Sequence, residues 1–251
     1  MKSVNTTEIF HRTAMLVGEE AMTRITSVRV ILFGCGGVGS WAAEALVRSG
    51  IRHITIVDPD VVSPTNINRQ LVAKLSTVGR PKVDVLREML LDINPDAKVV
   101  ALKKAFTAES YADFDLSAYD FIIDAIDSLK HKVELILQAT AVNSTFISSM
   151  GAALRLDPTK VRHDEFWKIN GCRLAATLRR RFKRDGRFPE KKFECVYSKE
   201  LPVSTIESRE KSTDDIAGSR RMRDNGSAVF VTATFGLTMA SLVIRSLSEN
   251  K

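Results

Sequence analysis

The sequence predicts an α/β protein with a doubly wound, mostly parallel sheet, and three observations carry that expectation. Val28 to Asp58 reads as strand, glycine turn, helix and strand in unbroken order. Short apolar runs then alternate with helical periodicity as far as Gly151. Acids, amides and cations gather just after the apolar runs, where an open parallel sheet presents its ligand-binding edge.

Val28 to Phe33 is nearly continuous and apolar, as a strand covered on both faces requires. Gly34, Gly36 and Gly39 give G-x-G-x-x-G spacing, with Gly37 between them. Ser40 to Arg48 follows with Trp41, Ala42, Ala45 and Leu46 at helical spacing, and Gly50 stands where a left-handed cap is needed. Ile54 to Val57 is the second strand, ending at Asp58. Glycines let the backbone approach a phosphate, and the helix N-terminus offers unpaired N–H groups. In this context the turn points to a nucleotide, although NAD, FAD and ATP would all suit it.

The chain before this unit, residues 1 to 27, is polar with helical tendency, and Arg12 reads there as a solvated charge. After it, residues 58 to 70 (DPDVVSPTNINRQ) are too polar for a strand and too rich in specific side chains for an idle turn. Asn66, Asn68, Arg69 and Gln70 stand there, at the binding edge, and Asp60 is a further nucleotide-binding candidate. Gly79-Arg80-Pro81-Lys82 opens a helix to about Ile93, and Lys98 to Phe106 is the expected third strand. Asp120 to Asp127 (DFIIDAID) is a buried strand with acids at its end. Ser128 is placed to cap the helix Leu129 to Ala141, and Thr145 to Met150 is a fifth strand. Arg69 and Lys82 supply cations for phosphate oxygens, and Asp127 a carboxylate for Mg²⁺, a combination that favours ATP.

The pattern changes after Gly151. Arg179 to Lys192 holds eight Lys or Arg, among them Arg179, Arg180, Arg181, Lys183 and Arg184. Ser198 to Ser227 is polar and reads as a mobile loop, and Arg220, Arg221 and Arg223 add to its charge. With a net charge of +7, the basic run suits a polyanion such as RNA. Ala228 to Ile244 is uncharged and, at 17 residues, sits at the low edge for a membrane span. Alternation at Val229, Val231 and Ala233 reads instead as a strand entering a helix of the core, with no stable membrane insertion. The chain is therefore expected to be one domain: a nucleotide-binding half (1–151), a basic insertion and crossover loop (152–227), and a closing strand and helix (228–251).

Cys35, Cys172 and Cys195 are far apart and form no CxxC, so neither a disulfide framework nor a zinc site is expected. Cys172, after Asn170-Gly171, reads as the more accessible thiol, and Cys195 as a core residue. No signal peptide is evident, which implies a reducing, cytoplasmic setting.

Together GxGGVGS at 34–40, DxDxVxxxNxxRQ at 58–70, GxPK at 79–82 and the Asp124/Asp127 pair resemble the E1-like (ThiF/MoeB/HesA) adenylating superfamily, whose fold is Rossmann-like. The resemblance implies ATP-dependent adenylation of a carboxylate with release of pyrophosphate. It implies that Asp58 holds ribose, that Asn66, Arg69 and Lys82 hold phosphates, and that Asp127 holds Mg²⁺. It also implies a homodimer in which Arg12 reaches the neighbouring subunit's site. Within the superfamily, residues 149–161 (SMGAALRLDPTKV) and the basic helix followed by CVYSKELPV look most like the tRNA threonylcarbamoyladenosine dehydratases. These cyclise the threonylcarbamoyl group on adenosine 37 of tRNA. That likeness leaves a sulfur-transfer protein of a cysteine desulfurase system open as a further partner. Competing expectations are an activator of a ubiquitin-like or sulfur-carrier protein, an NAD-dependent oxidoreductase, and a non-catalytic RNA-binding protein.

Overall fold

A computed structural model describes residues 6–202 and 226–249. Three short helices, α1 (Thr6–Ile9), α2 (His11–Val17) and α3 (Glu19–Ser27), lead into β1 (Arg29–Phe33). There follow α4 (Gly39–Arg48), β2 (His53–Val57), α5 (Lys82–Ile93), β3 (Lys98–Leu102), β4 (Phe121–Asp124), α6 (Leu129–Ala141) and β5 (Thr145–Ser149). The chain closes with β6 (Val161–Glu165), α7 (Arg173–Asp185), β7 (Glu194–Ser198) and α8 (Val229–Ser248). The strands form one sheet in the order β3-β2-β1-β4-β5-β7-β6, parallel except for the β6–β7 pair. A doubly wound sheet was the expectation, and this is one.

β1 lies between β2 and β4 because the chain winds outward first through β2 and β3, then returns to the other side of β1 for β4. A crevice opens at such a reversal, beyond the carboxyl ends of the strands. Val30, Ile31, Leu32 and Phe33 are buried along β1, consistent with helices on both sheet faces.

Three local readings need correction, and one strand was not expected. The third strand stops at Leu102, and Lys103 to Phe106 leaves the sheet. Ser128 occupies the N-cap position of α6 but makes no side-chain capping bond. β6 is a strand that its sequence, VRHDE, did not announce; it is a sheet-edge strand, half-buried to exposed, and so carries no apolar alternation. Val229, Val231 and Ala233 begin the helix α8 rather than a strand.

The buried residues of α8 (Val231, Thr232, Phe235, Gly236, Met239, Ala240 and Val243) form a helical stripe. α8 is long and apolar enough to cross a membrane by length and composition, a test that a soluble protein's core helix also passes. Its stripe belongs to the main core cluster. A Cβ at Gly236 would stand 2.4 Å from the carbonyl oxygen of Val38 and 2.9 Å from Cβ of Trp41. This glycine lets α8 lie directly on the start of α4, the helix that opens at the glycine turn. Most of the expected mobile loop, with Arg220, Arg221 and Arg223, lies outside the described residues.

Candidate nucleotide-binding cleft and a basic helix

The crevice between the ends of β1 and β4 is a cleft of about 730 Å³. Its floor is the glycine turn. Gly34 has φ of +92°, and a Cβ there would meet the carbonyl oxygen of Ala125 at 2.6 Å. A Cβ at Gly39 would stand 1.7 Å from the carbonyl oxygen of Gly34, so Gly39 closes the turn onto its helix and does not line the cleft. Gly36 and Gly37 do line it, and around Gly36 nothing but the Gln70 amide, at 3.7 Å, would meet a Cβ. Open space over backbone N–H groups at a helix start suits phosphate oxygens.

Asp58 leaves the end of β2 and ties the two walls together. One carboxylate oxygen accepts from the Cys35 N–H at 2.7 Å, the other from the Asp60 N–H at 2.9 Å. Burial pushes its carboxyl up from the ordinary aspartate value, against the opposing pull of Lys82 and the two N–H groups. Each oxygen keeps lone-pair capacity for a hydroxyl donor. Lys82, first residue of α5 and 5% exposed, reaches Asp60 Oδ2 at 2.8 Å and Asp58 Oδ1 at 3.8 Å. The cleft thus carries a buried ammonium beside two carboxylates.

Arg69 lines the same wall, with Nη1 donating to the Thr65 carbonyl at 3.0 Å and Asn68 Oδ1 at 2.9 Å. Gln70 is buried at the cleft, and its Oε1 has no hydrogen-bond partner. An unpaired buried acceptor is costly, so a ligand donor would relieve it. Asp127 lines the opposite wall with Ser128 and His131. Asp124, by contrast, is fully buried behind that wall. Its Oδ1 accepts from the Ile126 N–H at 3.0 Å, and its Oδ2 receives Lys132 Nζ at 2.6 Å and Ser148 Oγ at 2.7 Å.

Two expected residues stand apart from the cleft. Asn66 does not line it, and its Oδ1 instead accepts from the Ser63 N–H at 3.1 Å to close a short turn. Arg12 is exposed on α2 and does not line it. His131 lines the cleft without having been expected; its place three residues after Ser128, on the first turn of α6, was the available signal. Among the described residues no group of three or more His, Cys, Asp or Glu could hold a metal.

All three cysteines are buried, which corrects the expectation for Cys172. Cys172 precedes α7 and packs into the second core cluster, where the turn that follows Asn170-Gly171 tucks its thiol inward. Burial, the largest cause in each case, pushes the thiols of Cys35 and Cys195 well up. Thiolate chemistry has no ready nucleophile here.

The basic residues of α7 divide by partner. Arg179 lies over the Phe166 ring and donates to the carbonyl oxygens of Phe166 and Ile169, each at 2.9 Å. It fastens the helix to the preceding turn. Arg181 and Arg184 share Asp185. Arg173, Arg180 and Lys183 are exposed and, with Thr177 and Arg179, line a groove of about 500 Å³ along one side of the helix.

The ThiF family model matches residues 10–251. The chain is 37% identical over 243 residues to the tRNA threonylcarbamoyladenosine dehydratase of Bacillus subtilis (strain 168), covering 96% of this chain and 95% of that one. Among solved structures, it superposes on the E. coli tRNA N6-threonylcarbamoyladenosine dehydratase, TcdA, in complex with ATP, with a TM-score of 0.84 at 33% identity, covering 96% of this chain and 94% of that one. The same E. coli protein in complex with AMP gives a TM-score of 0.83 at 34% identity, with the same coverage. The family match takes in nearly the whole chain, the glycine turn and the closing helix included: the chain belongs to the ThiF family.

Proposed function

We propose that this chain is an ATP-dependent tRNA threonylcarbamoyladenosine dehydratase. It activates the carboxylate of the N6-threonylcarbamoyl group on tRNA adenosine and closes that group into a ring. The observation that carries the reading is the 37% identity to a dehydratase across 96% of this chain and 95% of the relative. The cleft supplies what the chemistry needs.

In the first step a carboxylate oxygen of the substrate attacks the α-phosphorus of ATP. The bond to the β-phosphate bridging oxygen breaks, and pyrophosphate leaves with that electron pair. In the second step a nitrogen or oxygen of the same threonylcarbamoyl group attacks the acyl carbon. AMP departs carrying the former carboxylate oxygen, and the nucleophile's proton passes to solvent. Water is thereby removed from the nucleoside at the expense of ATP, and no enzyme nucleophile is required. Three buried thiols agree with that.

Asp58 accepts from the ribose hydroxyls, and Gln70 Oε1 gains the donor it lacks. Gly36 and Gly37 let the triphosphate approach the backbone. Arg69 and Lys82 meet the charge that builds on the α-phosphate, the group of effects that contributes most in such transfers. Lys82 must leave Asp60 to do so, which an exposed and solvated Asp60 permits. Asp127 would hold Mg²⁺, and the fit is a fair one, because Mg²⁺ takes one or two protein carboxylates and completes its shell with phosphate oxygens and water. When bound, the ion would neutralise phosphate charge. Arg173, Arg180 and Lys183 would hold tRNA phosphates along the α7 groove, with Arg181 and Arg184 adding to the field.

Incubating tRNA that carries the open-chain threonylcarbamoyl group with the protein, ATP and Mg²⁺, then analysing nucleosides by mass, should give a product lighter by one water. Unchanged nucleosides beside rapid adenylation of a Gly-Gly-tailed carrier protein would replace this reading with the carrier-protein activator.

The functional unit in this reading is a homodimer: the family resemblance gives Arg12 a role at the site, and as Arg12 lies outside its own cleft it would act on a partner's. An Arg12→Ala chain mixed with an Asp127→Ala chain should recover part of the activity that each lacks alone. Absence of rescue, with subunit exchange demonstrated, would remove Arg12 from the site.

A further inference from the structure

Two aromatic side chains beside α7 take no part in the adenylation cleft. Trp167, on the turn Phe166–Lys168 before α7, is 36% exposed, and Phe188, just beyond the helix end, is 51% exposed. Their ring centroids lie 6.5 Å apart with the planes tilted by 37°. Behind them the packing is firm. The buried Phe166 meets Trp167 edge-on at 5.1 Å and stacks on Phe193 at 4.9 Å. The Arg179 guanidinium covers Phe166 and bonds the carbonyl oxygens on either side of Trp167 and Lys168. The result is a ledge fixed from behind and open in front.

Cations stand beside it. Exposed Lys168 adjoins Trp167, and Arg187, which adjoins Phe188, is exposed but ion-paired with Glu134 at 3.1 Å. Arg179 lines the groove with Arg173, Arg180 and Lys183 and also reaches the Phe166–Ile169 turn that carries Trp167, so groove and ledge meet at one residue. Apolar protein surface would have to strip water from these cations without replacing it. A polyanion that also carries flat π-faces satisfies both features, and single-stranded RNA is such a ligand. Duplex RNA is not, since its bases are stacked on one another.

We propose that the Trp167–Phe188 ledge stacks an unpaired base of the RNA whose phosphates occupy the α7 groove. The proposal rests on the reading of tRNA as substrate and adds to it a site outside the cleft that selects exposed bases. Base stacking contributes affinity with little sequence preference, whereas the groove cations contribute the salt-dependent part.

Replacing Trp41 by Phe leaves Trp167 as the single tryptophan, since the chain has two. Its fluorescence should then be quenched saturably by an unstructured oligoribonucleotide, and far less by a blunt RNA duplex of equal charge. Phe188→Ala and Trp167→Leu should each raise the Kd for tRNA about tenfold with the salt slope unchanged, and Trp167→Tyr should restore most of the affinity. Arg180→Gln with Lys183→Gln should also raise the Kd but change the slope, lowering it by about 0.7 for each contact to single-stranded RNA that is lost. Unchanged affinity in both ledge variants, while wild type binds tRNA and forms the cyclic nucleoside, would overturn the ledge alone. Equal quenching by duplex, or quenching by a Gly-Gly-tailed protein and not by RNA, would also overturn it. If wild type neither binds nor converts tRNA, the substrate reading falls and the ledge falls with it.

Discussion

Lys82→Ala should slow ATP-dependent pyrophosphate release by about 10²–10³-fold at saturating ATP, the size expected when one pre-placed donor is lost from an electrophilic site. Lys82 is the buried cation of the cleft, 2.8 Å from Asp60 and 3.8 Å from Asp58. Its removal leaves two carboxylates facing an incoming triphosphate, so nucleotide affinity falls as well. Asp127→Ala should slow release by a similar factor. Asp127 is exposed at the cleft rim, so its loss should leave the unfolding temperature nearly unchanged. Pyrophosphate release close to wild type in either variant would mean that the charged groups of the cleft do not act on the α-phosphate.

The parts of this site that were legible in sequence are those whose chemistry is local. Gly34 must adopt positive φ, and Asp58 must follow a strand, so spacing alone placed both. Lys82 was legible because Pro81 fixes a helix start beside it. Partners distant in sequence were not legible. Nothing in the run of arginines on α7 distinguishes Arg179, spent on two carbonyl oxygens, from Arg180, which faces solvent. Asn66 has the right residue type in the right stretch, yet closes its own turn. Nothing around Gly236 in sequence marks its neighbour, the start of α4, almost two hundred residues earlier. The strand β6 was invisible for another reason: a polar edge strand is held by its backbone, and backbone bonds leave no mark in hydropathy.

Lys132→Met should produce the largest loss of stability, about 3–5 kcal/mol, as expected when one partner of a fully buried ion pair is removed. Both side chains have no exposed surface, and Lys132 Nζ lies 2.6 Å from Asp124 Oδ2. The helix α6 brings Lys132 inward eight residues after Asp124, where the N-terminal half of the helix lies against the end of β4. Methionine fills much the same volume, so the cost would come from the orphaned carboxylate rather than from a cavity. At about 2–4 °C per kcal/mol for a chain of this size, the unfolding temperature should drop by roughly 10 °C. The effect should reach the cleft, because the same Asp124 carboxylate holds the Ile126 N–H and hence the wall that presents Asp127. A second substitution separates charge from packing. In the Lys132→Met background, Asp124→Asn removes the unpaired charge and should recover part of the lost stability, whereas in the wild type it strands the ammonium and should destabilise. If Lys132→Met with Asp124→Asn were no more stable than Lys132→Met alone, the pair would not be what holds the end of β4 in place.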